Sequence, residues 1–408
     1  MSNIPFSDKD VQILRSLAHR WVVCSQDPVN EKRAKLWQRH NDLETDEPLV
    51  QMSPENSWWE ILPPRMECEN PLARSWEFEL RAQLFHAEEV KDDWVLEPIF
   101  NIGCAFTDDG WGIDRKIINN GASYTIDAAI QDYEEDFPKL HFPRIIMDWD
   151  KTYETLETAQ KVMGDILDVQ LNKAGWYWSL GLSNDYIHLR GLENFMIDFL
   201  DEPEWVHRMY DFLCQGYLDR LDFLEQNDLL SQNTTRGNFG GYTNQILTKG
   251  PGEKILTSDM WGFVESQETV SMNPDMYGEF ILPHHIKLAE RFGLNAYGCC
   301  EPFDPLWKYI RQLPRLRRVS VSPWADWTKV PEYLGKDYVA AVKPIPTPLA
   351  NANMNEDVVR RDCRRAVEET KGGICEFIMK DTHTLGNNPQ NAVRWVEIMR
   401  EEIDRVYG

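Results

Sequence analysis

The segment richest in chemically useful side chains is 295–301, which reads Asn-Ala-Tyr-Gly-Cys-Cys-Glu. If it forms a strand, alternate side chains share a face, so Tyr297, Cys299 and Glu301 point one way and Cys300 the other. Thiolates and carboxylates bind zinc or carry protons. We therefore expect Cys299 and Glu301 in a site, with Cys300 against helices unless a bulge turns both thiols together. Buried cysteines that only pack are the simpler alternative.

A second segment, 375–383, ends in side chains of the same kind. The alternation places Asp381 and His383 on one face of a strand. Imidazole and thiolate are zinc ligands, so Cys299 and His383 form a candidate zinc site. Cys300 or Glu301 would complete it. The alternative for His383 is an ordinary hydrogen-bonded histidine. Asp381 is expected to line the substrate pocket.

A third segment, 258–265, combines carboxylates with aromatic rings on one face. Asp259 and Glu265 are candidate catalytic groups there, and Glu265 is suited to general acid and base catalysis or to a fourth zinc position. Tyr297 is the third catalytic candidate. The ring of Trp261 is expected to line the pocket, although a carboxylate paired at a rim and a ring packed in the core are equally ordinary.

Three further side chains are expected at strand ends that line the same pocket. They are Ser322, Trp324 and Lys343, which follow the apolar runs 318–321 and 339–342. The tryptophan offers a flat surface for a ring or a cation. Packing is the alternative for Trp324.

These residues lie in a part of the chain where predicted strands alternate with predicted helices. The alternation begins at about Asp93 and is typical of βαβ units. The predicted strands are 96–103, 175–182, 258–265, 294–301, 318–322, 338–344 and 375–382. The clearest helices are 274–292, 305–313, 356–369 and 389–407. This repeat favours a (β/α)8 TIM barrel, whose strand ends open on one cavity, over an open doubly wound sheet.

The domain organisation follows from where the alternation begins. Residues 1–92 open with two amphipathic helices and continue through a stretch rich in proline and aromatic residues. We expect this N-terminal helical extension to cap an α/β barrel formed by residues 93–408.

The charge of the chain limits its partners. The 67 Asp and Glu residues outnumber the 43 Lys and Arg residues, which leaves a net charge of −24. Nucleic acid binding requires a basic face, so it is disfavoured. No apolar run is long enough for an export signal or a membrane span, and we expect a cytoplasmic protein with reduced cysteines. A homodimer is left open.

Several segments, taken in order, resemble the uroporphyrinogen decarboxylase superfamily and specifically its methyltransferase-like branch, whose members are corrinoid-dependent methyltransferases. The resemblance covers about residue 148 to the C-terminus. Its carriers are 190–195, 201–207, 259–261 leading to Pro283, 297–301, and 388–393.

The resemblance implies a (β/α)8 barrel and a zinc ion held by a His-x-Cys pair and a later cysteine. Here Cys299 falls on the cysteine of that pair, Tyr297 replaces the histidine, and Thr382 or His383 replaces the later cysteine. The implied reaction moves a methyl group between a small methylated substrate and a corrinoid. The substrate would be a methoxylated aromatic, a methylamine or a thiol, and the corrinoid is carried by a cobalamin-binding partner protein. Zinc would activate the leaving atom or keep a thiol ionised.

Two other functions stay open on the same fold. One is a decarboxylase or another lyase that acts on a small carboxylated substrate without metal, with Asp259, Glu265 and Lys343 supplying charge and protons. The arginine-rich motif by which porphyrinogen decarboxylases hold their substrate is at best a remnant here, at 63–67. The other is a non-catalytic protein that binds a small molecule.

Overall fold

The computed structural model describes residues 5–113, 116–119, 124–174, 179–234, 241–250 and 252–408. The first half of the predicted strand at 175–182 lies outside these ranges, and its second half is described. None of the helices within these ranges is both long and apolar enough to cross a lipid bilayer.

Thirteen strands are present in the described residues. In chain order they are β1 Leu49–Met52, β2 Ile99–Gly103, β3 Phe106–Asp108, β4 Lys116–Asn119, β5 Tyr124–Asp127, β6 Ile145–Met147, β7 Asp168–Asn172, β8 Ser179–Leu180, β9 Trp261–Val264, β10 Leu294–Tyr297, β11 Leu316–Val321, β12 Val339–Val342 and β13 Ile374–Met379. All the predicted strands correspond to members of this set, which confirms the α/β class.

Fourteen α-helices occur in the same described ranges. They are α1 Asp8–Ser25, α2 Pro28–Asn41, α3 Trp58–Ile61, α4 Pro71–Leu84, α5 Tyr133–Asp136, α6 Trp149–Met163, α7 Leu182–Arg190, α8 Leu192–Asp201, α9 Pro203–Gln226, α10 Pro274–Met276, α11 Leu282–Ala289, α12 Trp307–Ile310, α13 Glu356–Glu369 and α14 Gln390–Tyr407. The helix predicted at 274–292 contains a π-helical turn, Tyr277–Ile281, just before Pro283. A proline has no N–H to continue the helical hydrogen bonds, and the wider turn accommodates it.

The main sheet has seven strands in the order β1, β13, β12, β11, β10, β9, β8. Every neighbouring pair in it is parallel. Parallel neighbours require crossover connections, and α11 to α14 lie in the connections between β9 and β13 or follow the last strand. In the part of the chain that the structure describes, β1 and β8 are the outer strands of this sheet.

The N-terminal segment contributes a strand to this sheet. Residues Leu49–Met52, which were expected to lie in the N-terminal extension, form β1 and pair in register with 376–379 of β13. Ser7 caps the first helix, because its hydroxyl accepts the backbone N–H of Asp10. Helix α1 then packs on α4 through Leu14, Leu17 and Trp21.

The two faces of the sheet have different surroundings. One row of neighbouring residues across the strands is Val264, Tyr297, Val319, Ala340 and Cys375. These side chains belong to one large core together with residues of α9, α11, α13 and α14. The row on the other face contains Arg318, whose guanidinium forms an ion pair of 3.0 Å with Glu376.

This assignment of faces differs from the one predicted by alternation. Tyr297 was expected to face the site, but it faces the helices. Phe377 and Met379 of β13 do the same, so the opposite face, with Glu376, carries the charged side chains of that strand. Alternation shows which residues share a face, and only the packed helices decide which face is covered.

Candidate active site at the carboxyl edge of the sheet

The carboxyl ends of parallel strands lie along one edge of a sheet, and ligands bind there in α/β folds. Four polar side chains meet this condition, and three of them interact with the fourth, Cys299. Glu265 follows β9, Cys299 comes two residues after β10, Lys343 follows β12, and Lys380 follows β13. We call Cys299, Lys343 and Lys380 the thiolate cluster.

The position of Cys299 is set by the end of β10. Gly298 has a φ of +94°, a conformation that glycine adopts at little cost, so the chain leaves the strand there. The carbonyl oxygen of Cys299 accepts hydrogen bonds from Ser320 Oγ at 2.9 Å and from Lys343 Nζ at 2.8 Å. Its backbone N–H donates to Glu301 Oε2 at 2.8 Å. Backbone contacts on both sides therefore hold Cys299 in place.

The sulfur of Cys299 lies in a positive environment. Its Sγ is 3.7 Å from Cys300 Sγ and 3.9 Å from Lys380 Nζ. The hydrogen bond from the Cys300 thiol, followed by the charges of Lys343 and Lys380, lowers the pKa of Cys299 to about 6, although burial and Glu301 act in the opposite direction. The same interaction raises the pKa of Cys300. The pair thus carries one negative charge, placed on Cys299.

The two lysines are themselves held by negative groups. Lys343 is only 5% exposed, and burial lowers its pKa, although the Cys299 thiolate opposes that effect. Burial also tends to lower the pKa of Lys380. The negative charges of Cys299, Glu55 and Asp381 outweigh burial, so the pKa of Lys380 is raised above its ordinary value. Both ammonium groups therefore depend on the thiolate for part of their stabilisation.

Carboxyl groups lie next to the thiolate cluster. Burial, together with the charges of Glu268 and Glu301, raises the pKa of Glu265 to about 9, and the Cys299 thiolate adds to this rise. Glu265 Oε2 accepts the backbone N–H of Gln267 at 2.8 Å. A carboxyl group with this pKa is protonated at neutral pH, so Glu265 can act as an acid.

The donor groups at this site do not fit a zinc ion. The spacing of the Cys299 and Cys300 sulfurs would suit two ligands of one ion, but an ammonium group lies beside Cys299. The two oxygens of Glu301 each accept a backbone N–H, from Ser266 and from Cys299. Among the residues for which a placement is given, no three His, Cys, Asp or Glu side chains are arranged to hold a metal.

His383, the predicted imidazole ligand, is exposed on the surface. Its Nδ1 lies 3.0 Å from Asn56 Nδ2, in a hydrogen bond between the two side chains. Asp381, which was predicted for the pocket, lies at the site, because its Oδ2 is 4.0 Å from Cys300 Sγ. Its backbone N–H donates to Glu55 Oε2 at 3.0 Å.

Two predicted residues lie at the opposite edge of the sheet. Asp259 precedes β9, where its Oδ2 accepts the backbone N–H of Leu256 at 3.0 Å. Trp261 is the first residue of β9, and its Nε1–H donates to the carbonyl of Gly241 at 2.9 Å. The ring packs with Ile246 and Leu294. Since strand β9 starts at Trp261, neither residue reaches the carboxyl edge.

The other predicted residues have different surroundings. Tyr297 is buried with its ring centroid 6.1 Å from that of Tyr277, and burial together with Tyr277 raises its pKa. Ser322 is buried directly after β11, at the carboxyl edge. Trp324 is 69% exposed, so its ring is on the surface.

Lys380 was not predicted from the sequence. The signal for it is Glu376, a charged residue in the apolar run of β13, because residues 376, 378 and 380 share a face. A buried charge such as that of Glu376 needs charged or polar partners, so the face of the strand that carries Glu376 is predicted to be its polar face. Lys380 lies on that face. Glu55 and Glu268 carry no comparable signal, because they come from connections whose course is set by tertiary packing.

No protein-family model and no curated protein matches the sequence. A solved structure that aligns with this chain is a methyltransferase from Methanosarcina mazei, at 12% identity. The alignment covers 81% of this chain and 86% of the other, with a TM-score of 0.46.

Proposed function

We propose that this chain is a methyltransferase that acts on a small methylated substrate, with Cys299 as the nucleophile. The observation that carries the proposal is the position of the Cys299 sulfur at the carboxyl edge of a parallel sheet, 3.9 Å from Lys380 Nζ. Lys343 Nζ donates a hydrogen bond to the backbone carbonyl of Cys299. Ammonium groups keep a thiol ionised, and the thiolate is the reactive form. The resemblance of the ordered sequence segments supports a methyl group as the transferred group.

The proposed step is a displacement at the methyl carbon. The Cys299 sulfur forms a bond to that carbon while the bond from carbon to the oxygen or nitrogen of the substrate breaks. The proton of Glu265 passes to the leaving oxygen or nitrogen, and Glu265 becomes a carboxylate. The products are S-methylated Cys299 and the demethylated substrate. A methoxylated aromatic or a methylamine fits this step, because each has a heteroatom that leaves more easily when protonated.

The proposal contains no zinc, since the donor set does not fit it. Lys343 and Lys380 supply the positive charge that keeps the thiol ionised, a task that a metal performs in other thiolate sites. The same proposal includes a closed (β/α)8 barrel, which the order of strands and helices supports. It includes a cytoplasmic location, which the composition supports. It also includes a corrinoid protein as the onward acceptor of the methyl group, which the sequence resemblance supports.

A decarboxylase is the second candidate function. The observation in its favour is that two ammonium groups and a protonated acid each interact with Cys299 at the site. Lys343 and Lys380 would bind a substrate carboxylate, and Glu265 would give its proton to the carbanion that remains after CO2 departs. This reaction does not use the sulfur of Cys299, which separates it from methyl transfer.

Mass spectrometry of the Cys299 peptide tests the proposal. The purified protein is incubated with deuterium-labelled anisole, trimethylamine or dimethyl sulfide, which represent the three substrate types. We expect one donor to add a labelled methyl group to Cys299. The Cys24→Ser variant, whose changed residue lies beside Glu88, should behave like the unmodified protein. Absence of label from every donor would contradict methyl transfer to Cys299 and would favour the decarboxylase, whose reaction forms no bond to the sulfur.

The pH dependence of alkylation tests the role of Lys380. We expect iodoacetamide to modify Cys299 with a half-maximal rate near pH 6, the pKa at which its thiolate forms. Replacing Lys380 by Met removes one positive charge and should raise this midpoint by about one pH unit. Lys329→Met, which breaks an exposed ion pair with Glu332, is the matched control. An unchanged midpoint in Lys380→Met would contradict the role of the ammonium group.

A further inference from the structure

A cavity of about 560 Å³ opens beside α2. Its walls contain two acidic side chains, Glu47 and Asp93, and six basic ones: Lys32, Arg33, Lys35, Arg39, Lys91 and Arg400. We call it the basic pocket. The chain as a whole carries a net charge of −24, so this pocket is a local reversal of charge. None of its residues belongs to the thiolate cluster.

Three of the basic side chains of α2 lie on one face of the helix. Lys32, Lys35 and Arg39 follow one another at intervals of three and four residues, which bring side chains to the same side of a helix, and Arg33 lines the pocket from the position next to Lys32. Val29 and Leu36 lie on that side as well and form an apolar part of the wall. The pocket therefore offers positive charge next to a small apolar surface.

Two guanidinium groups are held in fixed positions in the wall. Arg33 donates to the carbonyls of Trp94 and Lys91, each at 3.2 Å. Arg400 donates to the same carbonyl of Lys91 at 3.4 Å and to Asp93 Oδ1 at 3.0 Å. Burial lowers the pKa of Arg33, and the charge of Arg400 contributes to this, although Asp93 opposes it. Like charges are thus held together, and an anion between them would relieve the repulsion.

Acidic side chains compensate only part of this charge. Lys35 pairs with Glu31 at 2.5 Å, and Arg400 pairs with Asp93. Within the described ranges, no ion pair joins Lys32, Arg39 or Lys91 to a carboxylate. These three cations face a pocket that already contains the fixed guanidinium of Arg33.

We propose that the basic pocket binds a small molecule that carries two or more phosphate groups. Arginine binds phosphate through paired N–H donors, and several cations around one pocket match several charges on one ligand. The volume is that of a small-molecule site. The apolar wall formed by Val29 and Leu36 suits a ring attached to the phosphates, as in a nucleoside triphosphate. The site is separate from Cys299, so this proposal does not depend on the proposed methyl transfer.

Isothermal titration calorimetry with three anions tests the proposal. Inorganic tripolyphosphate and ATP should bind one per chain, more weakly as salt is added, because salt screens exposed charges. Citrate, a carboxylate anion without phosphate, should bind at least about tenfold more weakly. If ATP binds more tightly than tripolyphosphate, the apolar wall contacts the ring. Equal affinity would assign the site to the phosphate chain alone.

The double variant Lys32→Gln, Arg39→Gln is the decisive comparison. Both side chains are exposed, so the fold should be retained, and a thermal melt verifies this. We expect the Kd for tripolyphosphate to rise at least about tenfold. The control is Lys329→Gln with Arg365→Gln, which removes two cations that pair with glutamates elsewhere. The proposal fails if the unmodified protein shows no saturable binding, if citrate binds equally well, or if the double variant binds as tightly.

Discussion

The environments of Glu265 and Cys299 move their pKa values in opposite directions. Burial and neighbouring carboxylates keep a proton on Glu265, with a pKa of about 9. A donated hydrogen bond and two ammonium groups take the proton from Cys299, with a pKa of about 6. Between these values the site contains an acid and a nucleophile at the same time, which is the combination that displacement from a protonated heteroatom requires.

The proton on Glu265 predicts a pH dependence of both activity and stability. In the folded state its pKa is about 9, against an ordinary value of 4.5. The folded state therefore holds a proton that the unfolded state loses, so stability from this group is present below pH 4.5 and is lost as pH rises toward 9. The neutral Glu265→Gln variant should lack this loss, which amounts to at most about 1.4 kcal/mol for each pH unit.

Urea unfolding at several pH values between the two pKa values measures this difference. We expect Glu265→Gln to gain stability over the unmodified protein as pH rises, and to lose methyl transfer to oxygen or nitrogen donors because it has no proton to give. Glu332→Gln, at an exposed ion pair, is the control. A constant difference in stability across this pH range would show that Glu265 is ionised in the folded protein.

At the scale of elements, the end of β10 decides where Cys299 lies. Gly298 has a positive φ, and a Cβ there would approach Ser320 Cβ at 3.3 Å. Ser320 also holds the carbonyl of Cys299. The conformation of Gly298 therefore sets the turn after β10 and the position of Cys299 against β11.

Replacing Gly298 by alanine should disturb both stability and activity. An L-residue in the left-handed region costs about 1–2 kcal/mol, and the close approach to Ser320 adds to that. A displacement of Cys299 by about 1 Å would reduce the transfer rate on the order of a hundredfold. Gly103→Ala is the control, because a Cβ at Gly103 meets no atom within 4 Å. Equal rates and unfolding midpoints for both variants would contradict the role given to Gly298.

Helices α13 and α14 are joined by a carboxylate with three arginine partners. Glu402 is buried and accepts hydrogen bonds from Arg360, Arg364 and Arg405 at 2.9–3.0 Å. The hydrogen bond from Arg364, followed by those from Arg405 and Arg360, outweighs burial and lowers the pKa of Glu402 to about 2. The helices therefore meet through charge as well as through apolar packing.

Glu402→Gln should destabilise the protein in a pH-dependent way. Because the folded pKa is below the ordinary value of 4.5, the stabilisation is present above pH 4.5 and is lost as pH falls toward 2. At neutral pH we expect a loss of about 2 kcal/mol, since the arginines are partly exposed to solvent. Denaturant unfolding at pH 7 and pH 3 measures it, with Glu397→Gln, 56% exposed, as the control. A loss that is as large at pH 3 would point to packing instead of charge.

At the scale of the molecule, the N-terminal segment is joined to the sheet by buried polar contacts. Asn41 Oδ1 accepts a hydrogen bond from Arg318 of β11 at 2.8 Å. Asp93 Oδ2 accepts the backbone N–H of Val50 in β1 at 2.8 Å, and the carbonyl of Asp93 accepts Trp37 Nε1–H at 2.8 Å. These bonds cross the boundary proposed between residues 92 and 93.

A fragment that begins at residue 93 should not fold by itself. It would lack β1, leaving the edge of β13 unpaired, and it would expose the Arg318 and Glu376 charges that α2 covers. We expect the 93–408 fragment to show no cooperative thermal transition by circular dichroism, whereas the full chain unfolds in one. A cooperative transition and a single compact peak in size-exclusion chromatography would show that the division at residue 92 is a true domain boundary.

Net charge and local charge have different consequences for binding. The excess of acidic residues disfavours nucleic acid over the surface as a whole. The basic pocket shows that a single helix face can collect cations in such a chain, because the side chains of α2 at suitable spacings converge with Lys91 and Arg400 from distant segments. Composition alone does not predict that convergence.

The sequence by itself determined the α/β class, because strand and helix periodicities are local properties of the chain. It also located Cys299, Glu265, Lys343 and Asp381 near strand ends, where the structure has them. Tertiary structure decided the rest. Which face of β10 and β13 meets the helices depends on packing, so Lys380 replaced His383 as the partner of Cys299. Likewise Asp259 and Trp261 lie at the other edge, because the residue at which a strand begins is set by its neighbours in the sheet.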